Sequence, residues 1–152
     1  MSGMVKCLVC KHDNPSYANY CEKCGVKIIK DWTPSERIEF YEMCLRVITT
    51  QGGEGNFVIF TAPGDFFVQF AGEAGSPAVV LDVPYQSIPP GKAYTVEQVI
   101  RAETGRTPYR GEASYQAEMG IKQAARITEI LFSQLYNMPT DYPLVDIQLV
   151  LQ

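Results

Sequence analysis

Two closely spaced pairs of cysteines near the N-terminus constrain the fold of this chain more than any other feature. Cys7 and Cys10 form the first pair, Cys21 and Cys24 form the second, and ten residues separate the pairs. A Cys-x2-Cys segment folds as a tight knuckle that directs both sulfurs to one point, and two knuckles supply the tetrahedral four-thiolate shell of a structural Zn²⁺ site. The spacing therefore predicts one structural zinc ion with no ligand position left open for chemistry.

The rest of the composition is that of an ordinary globular protein. Of the 152 residues, 46% are apolar and 20% are charged, and no apolar run approaches the roughly 18 residues of a membrane helix. The N-terminal residues show no secretory pattern, and clustered Cys-x2-Cys pairs without an export signal favour metal-bound thiolates over disulfides. We therefore expect a cytoplasmic protein that does not use a membrane.

Charge is distributed unevenly along the chain. Residues 1–30 carry five lysines against two acids, whereas residues 31–152 carry eight basic residues against fifteen acids. Zn²⁺ with four thiolates contributes about −2, which leaves the first segment near +1. This field is too weak to require a nucleic-acid partner, and the acidic remainder should repel a phosphate backbone.

Hydrophobic periodicity and turn residues divide the chain into a zinc ribbon at 1–30 and an α+β domain at 31–152. Asn14-Pro15-Ser16 predicts a turn between the knuckles, and Gly25 suits a positive φ after the last ligand. We expect helices at 34–51, 95–102 and 114–136, and strands at 57–61, 66–70, 78–83 and 144–150. Capping boxes predict the first two helix starts, at Thr33 and at Thr95. The result is an antiparallel sheet of about four strands with helices mainly on one face.

A basic loop between the second and third predicted helices is the candidate contact for a partner protein or an anion. Its residues are Arg101, Arg106, Tyr109 and Arg110, and arginine and tyrosine are the residue types that such contacts favour. The alternative is a solvated loop whose arginines balance nearby glutamates. Both interpretations stay open on the sequence alone.

No constellation of residues predicts catalysis. His12 is the only histidine and lies inside the ribbon, where we expect it to be solvated, so no Ser or Cys nucleophile has a histidine base in the α+β domain. Cys44 falls on the apolar stripe of the first helix, which favours core packing over nucleophilic chemistry.

Other polar and aromatic residues have ordinary explanations as well. Asp65, Glu73 and Asp82 near strand ends read as solvated turn acids rather than as an acid-base pair. Tyr17 and Tyr20 stack on nucleic-acid bases, fill a pocket of a partner protein, or cover the small core of the ribbon, and we expect the core role, above all for Tyr20.

The ribbon segment resembles a known family. Its Cys-x2-Cys-x3-Asn-x6-Cys-x2-Cys-Gly pattern, with Tyr20 directly before Cys21, is similar to the short prokaryotic zinc ribbons at the ends of multidomain proteins. That resemblance implies Zn²⁺ bound by the four cysteines. The spacing is also similar to Ran-binding-protein type fingers, but Val5 stands where those have tryptophan, which weakens an RNA or ubiquitin interpretation.

The larger domain resembles the type III secretion chaperone-like superfamily, including TY-Chap domains. The similarity lies in the order of elements and in three short segments: Phe67-Val68-Gln69-Phe70, Tyr94-Thr95-Val96-Glu97-Gln98 and Tyr136-Asn137-Met138-Pro139. It implies a non-catalytic domain, often a homodimer, that binds a segment of another protein along its sheet or helices.

Three hypotheses about function follow from these observations. The first is a non-enzymatic zinc-binding adaptor whose α+β domain binds another protein in a chaperone-like way. The second is a nucleic-acid-binding protein that acts through the lysines and tyrosines of the ribbon. The third is an enzyme of unknown class in the α+β domain.

Overall fold

The computed structural model describes residues 3–152, so Met1 and Ser2 of the predicted ribbon lie outside the described residues. A two-stranded ribbon, β1 (Met4–Lys6) and β2 (Asp13–Pro15), precedes helix α1 (Pro34–Thr50). The larger domain continues with these elements: β3 (Asn56–Ala62), β4 (Phe66–Gly72), β5 (Ala78–Pro84), a 3₁₀ turn (Tyr85–Ser87), α2 (Ala93–Thr104), β6 (Tyr109–Arg110), β7 (Ser114–Gly120), α3 (Ile121–Ile130), a π-helical turn (Leu131–Leu135) and β8 (Asp146–Val150).

The larger domain is built on one six-stranded antiparallel sheet, in the order β6-β7-β5-β4-β3-β8. The predicted α+β class and the β3-β4-β5 meander are confirmed, but the expectation of about four strands was wrong. The additional strands are β7, inside the predicted long helix, and β6, inside the predicted loop. The predicted boundary between residues 30 and 31 stays a prediction.

Tertiary pairing explains why residues 114–120 form a strand and not a helix. Gln116, Ala117, Glu118 and Met119 are all good helix formers, so local preference favours extending α3 towards the N-terminus. The segment instead pairs along its whole length with β5, from Pro84↔Ser114 to Ala78↔Gly120. Burial and ladder hydrogen bonds on both sides of a sheet outweigh differences in helix propensity of less than 1 kcal/mol per residue.

Helix α1 begins and packs as the sequence predicts. The Thr33 hydroxyl caps it by accepting a hydrogen bond from the Glu36 N–H at 3.3 Å. Tyr41, Leu45 and Ile48 on its predicted stripe are fully buried. The Tyr41 ring meets the Phe60 ring edge to face, with centroids 4.8 Å apart, which packs α1 against β3.

The second predicted capping box is not a cap. Helix α2 starts two residues earlier, at Ala93, and its N-cap residue Lys92 makes no side-chain cap. Thr95 therefore lies inside the first turn. Glu97, two residues further along, accepts hydrogen bonds from Arg110 and Tyr115.

The sheet has one face packed against helices and one face left open. On β3 the side chains of Val58 and Phe60 are buried, whereas those of the alternate residues Phe57, Ile59 and Thr61 are only half-buried. The register carries this alternation through β4, β5, β7 and β8. We call the open side the outer face; its central residues are Phe57, Ile59, Gln69, Ala71, Val80, Asp82, Gln116, Glu118, Gln148 and Val150.

A buried polar network, centred on Arg37, ties α1 to α3 and to the loop before β8. The guanidinium is fully buried and binds the Glu129 carboxylate through two nitrogens, at 2.9 and 2.6 Å. It also donates to the main-chain carbonyls of Trp32, Thr140 and Tyr142. Its carbon lies 3.7 Å from the centroid of the Tyr142 ring.

Candidate metal centre

The first cysteine pair forms a closed loop of backbone hydrogen bonds. The Lys11 N–H donates to the Cys7 carbonyl at 3.0 Å, and the Cys7 N–H donates to the His12 carbonyl at 2.8 Å. Lys11 must adopt a left-handed conformation, φ 68°, to close this loop. The chain thereby turns back on itself and brings the Cys7 and Cys10 sulfurs to the same side.

The second cysteine pair repeats the same geometry. The Gly25 N–H donates to the Cys21 carbonyl at 3.0 Å, and the Cys21 N–H donates to the Val26 carbonyl at 2.8 Å. Gly25 has φ 82°, as the sequence predicts for this position. The two knuckles are thus equivalent, with lysine in one and glycine in the other at the left-handed position.

The four sulfurs converge as a tetrahedral zinc site requires. All of them lie within 4.8 Å of one another, and the Cys7–Cys24 and Cys10–Cys21 pairs are 3.6 and 3.5 Å apart. Zn–S bonds of about 2.3 Å place tetrahedral sulfurs roughly 3.8 Å apart. The donor set therefore fits Zn²⁺, and among the described residues it is the one group of three or more metal-ligating side chains.

Backbone N–H groups point at the sulfurs of Cys7 and Cys21. The Val9 N–H points at the Cys7 sulfur at 3.4 Å, and the N–H groups of Lys23 and Cys24 point at the Cys21 sulfur at 3.4 and 3.5 Å. Burial raises the pKa of Cys21, but these N–H groups and the Asn14 side chain outweigh it and bring the pKa to about 6. Burial instead raises the pKa of Cys7 and of Cys24, so these two thiols lose their protons when a metal ion binds them.

Asn14 joins the two knuckles, a role that the sequence did not reveal. The predicted turn at Asn14-Pro15 is instead strand β2, and the Asn14 side chain is fully buried. Its Oδ1 accepts from the Glu22 N–H at 2.8 Å, and its Nδ2 donates to the His12 carbonyl at 3.2 Å. The Cys-x3-Asn spacing of the ribbon pattern was the available signal, since a buried amide can hold two loops at a fixed separation.

The ribbon packs against α1 through ion pairs and through the core. Lys27 lies 3.7 Å from Glu36 and 3.5 Å from Glu39, and Lys11 lies 3.2 Å from Asp146 at the start of β8. Cys44, fully buried in α1, shares one hydrophobic cluster with the ribbon. Burial raises its thiol pKa well above the usual range. Cys44 thus has the core role that its position on the stripe predicts.

The two ribbon tyrosines do not cover the ribbon core. Tyr17 is 81% exposed and Tyr20 is 51% exposed, so the expected core role was wrong for both. The ribbon core consists instead of ligand cysteines together with Val26 and Ile28, which are buried. His12 is half-buried, with its ring nitrogen 3.6 Å from Glu22.

The predicted contact loop is partly occupied by contacts within the chain. Arg110 donates to both Glu97 carboxylate oxygens at 2.7 and 2.8 Å, and its guanidinium lowers the pKa of Glu97. Arg106 donates to the Glu118 carbonyl at 2.7 Å, and Arg101 reaches the Thr107 hydroxyl at 3.5 Å. Arg106 and the exposed Tyr109 line one groove of about 200 Å³, whose lining does not include Arg101 or Arg110. Their role in binding a partner stays a prediction.

The three candidate carboxylates lie on different elements of the fold. Asp82 lies on the outer face and accepts from Gln69 at 2.7 Å and Ser114 at 2.6 Å. Asp65 belongs to the turn between β3 and β4, and Glu73 to the turn after β4.

Comparison of the chain with protein-family models, curated proteins and solved structures finds no match. The chaperone-like resemblance of the larger domain gains no support from these comparisons. The ribbon resemblance is supported by the cluster of four cysteines within metal-binding distance. None of the helices in residues 3–152 combines the length and hydrophobicity needed to cross a bilayer.

Proposed function

We propose that this chain is a non-enzymatic, cytoplasmic zinc-binding adaptor whose α+β domain binds another protein. The observation that carries the proposal is the four-sulfur cluster, since four thiolates fill the tetrahedral shell of Zn²⁺ and leave no position for water or substrate. Zinc in such a shell stabilises structure, and the ribbon is too small to fold without it. The open sheet face supplies a surface on which a partner protein can bind.

Affinity capture tests the proposal directly. The full zinc-loaded chain is the bait in a native lysate of the organism that encodes it, with and without nuclease treatment. An adaptor retains specific proteins whether or not nuclease is present. A bait that retains nothing above the bare resin, or that loses everything to nuclease, would falsify the proposal.

A second candidate function is nucleic-acid binding by the ribbon, and the exposure of Tyr17 and Tyr20 is the observation that favours it. The charge of the ribbon argues the other way. Lys6 pairs with Asp13 at 3.1 Å, Lys11 pairs with Asp146, and Lys27 lies between two glutamates. Three of the five ribbon lysines thus have acidic partners within the chain, which leaves Lys23 and Lys30 for phosphate contacts and few counterions to release from a bound nucleic acid.

A mobility-shift titration separates the two candidates. Binding of single-stranded nucleic acid by this ribbon would weaken steeply between 50 and 200 mM salt and would be lost in a Tyr17→Ala, Tyr20→Ala double variant. If the nucleic acid shows no mobility shift at low salt, the second candidate function is excluded.

A further inference from the structure

The outer face of the sheet is an uncovered apolar surface. Phe57, Ile59 and Val80 are half-buried there, and Ala71 is exposed. The register aligns Val150, Phe57, Ala71 and Val80 in one row across β8, β3, β4 and β5. A shallow groove of about 300 Å³ runs along this row.

The charged side chains of five of the six strands are all acidic; the basic group beside them is Arg106, in the loop before β6, which donates to the Glu118 main-chain carbonyl at 2.7 Å and lines a groove with Glu118. Strands β3, β4, β5, β7 and β8 contain no lysine or arginine. On β7, Glu118 lies directly opposite Val80 and so ends the apolar row with a carboxylate. Asp82 lies in the neighbouring row of the sheet. Glu73 borders a second shallow groove beside Val80 and Glu118. The apolar row is therefore flanked by three carboxylates.

These carboxylates have no cationic partner within the part of the chain that the structure describes. Asp82 is held by three neutral donors, from Gln69, Ser114 and Gln116, at 2.6 to 3.2 Å. The side chains of Glu118 and Glu73 make none of the ion pairs among residues 3–152. Uncompensated charge beside apolar surface selects a partner of opposite charge.

The backbone of the face favours a helix as its occupant. The main-chain groups of a central strand are already paired with neighbouring strands, so an extended peptide lying on the face would bury its own N–H and C=O groups without partners. A helix satisfies its main chain internally and presents an apolar stripe. A second copy of this chain is disfavoured, because two such faces would bring like charges together.

From these observations we infer that the outer face binds a basic amphipathic helix of a partner protein. Four strands spaced about 4.8 Å apart span roughly 14 Å, which is the length of a helix of about ten residues. Such a helix places apolar residues at i, i+3, i+4 and i+7 over Phe57, Ala71 and Val80. Its lysines or arginines flank that stripe and meet Asp82 and Glu118. The inference rests on the proposed function, for which it names the surface and the class of partner.

Two fluorescein-labelled model helices of 18 residues test the inference by fluorescence anisotropy. Both carry the same leucine stripe in an alanine background, and the stripe is flanked by lysines in one probe and by glutamates in the other. We expect the zinc-loaded full chain to bind the lysine probe at least about tenfold more tightly at 50 mM salt, with most of the difference lost at 500 mM.

Charge-neutralising variants locate the site on the chain. The Asp82→Asn, Glu118→Gln double variant should weaken binding of the lysine probe about four- to twenty-five-fold, since each exposed ion pair is worth a factor of about two to five. Asp31→Asn, Asp141→Asn removes the same charge from exposed residues outside the sheet and should change affinity less than twofold. Val80→Thr should weaken binding severalfold, whereas Val47→Thr, on α1, should not.

Three outcomes overturn the inference: equal affinity for the two probes, equal losses in the test and control double variants, or a dimer in sedimentation that Val80→Thr dissociates. The capture experiment keeps the two proposals apart. If the Asp82→Asn, Glu118→Gln bait retains the same proteins as the original chain, the surface is wrong and the adaptor function stands. If no bait retains a protein while the probes behave as expected, the adaptor function fails and the binding chemistry of the face stands.

Discussion

Replacing Arg37 by methionine should destabilise the chain more than any surface substitution. The guanidinium has no solvent exposure and donates to the Glu129 carboxylate and to three main-chain carbonyls. Methionine keeps most of the buried methylene volume but leaves Glu129, only 14% exposed, without its cation. Removing one partner of a buried pair costs about 3–5 kcal/mol. That loss is a large fraction of the roughly 5–15 kcal/mol that stabilises a domain.

Urea unfolding of the zinc-loaded chain, followed by fluorescence of the single tryptophan, measures this cost. Arg126→Met is the matched control, because Arg126 also pairs with a glutamate, Glu103, but is 49% exposed. The control should cost less than about 1 kcal/mol. An Arg37→Met, Glu129→Leu double variant should recover about 2 kcal/mol or more, since it removes the uncompensated charge. A loss below about 1 kcal/mol for Arg37→Met, or a double variant no more stable than the single one, would refute the reasoning.

Three further predictions concern the metal and pH. Chelation of zinc should abolish the amide chemical-shift dispersion of residues 4–30 in NMR spectra, while the amide resonances of the sheet stay dispersed. Loss of dispersion in both groups of residues would contradict this prediction. Gly25→Ala should destabilise the zinc-bound ribbon by about 1 kcal/mol, because a φ of 82° disfavours any residue with a side chain. The measurement is the rate of zinc release to a chromogenic chelator, which should rise. Gly3→Ala, where an added side chain meets no atom within 4 Å, is the control. Burial raises the pKa of Tyr41 and Tyr142. Stability should therefore fall as pH rises above about 10, the unfolded pKa, and Tyr41→Phe should reduce that slope.

Features that depend on local spacing were predictable from the sequence. The knuckles need only the Cys-x2-Cys pairs and a residue that tolerates positive φ, and both lie within six consecutive positions. Helix α1 was predicted from Thr33, Pro34 and its apolar stripe. The β3–β4 hairpin was predicted from Pro63 and Gly64, which lie between two aromatic-rich strands.

Features that depend on partners far along the chain were not predictable in the same way. Strand β7 has helix-favouring residues, and only its pairing with β5, whose residues lie 30 to 42 positions earlier in the chain, makes it extended. The burial of Arg37 depends on a carboxylate that lies 92 residues later, on α3. The ribbon tyrosines point outward because Val26 and Ile28, after the last ligand, fill the small core first.

The absence of basic residues from five strands decides which reagents can report on the sheet. Trypsin finds no cleavage site between Arg46 and Lys92, a stretch that includes β3, β4 and β5. Amine-reactive cross-linkers have no target on those strands either. Carbodiimide activation of Asp82 or Glu118 would instead form an amide with any lysine that lies against them. A partner bound to this surface could therefore be cross-linked to it without a spacer.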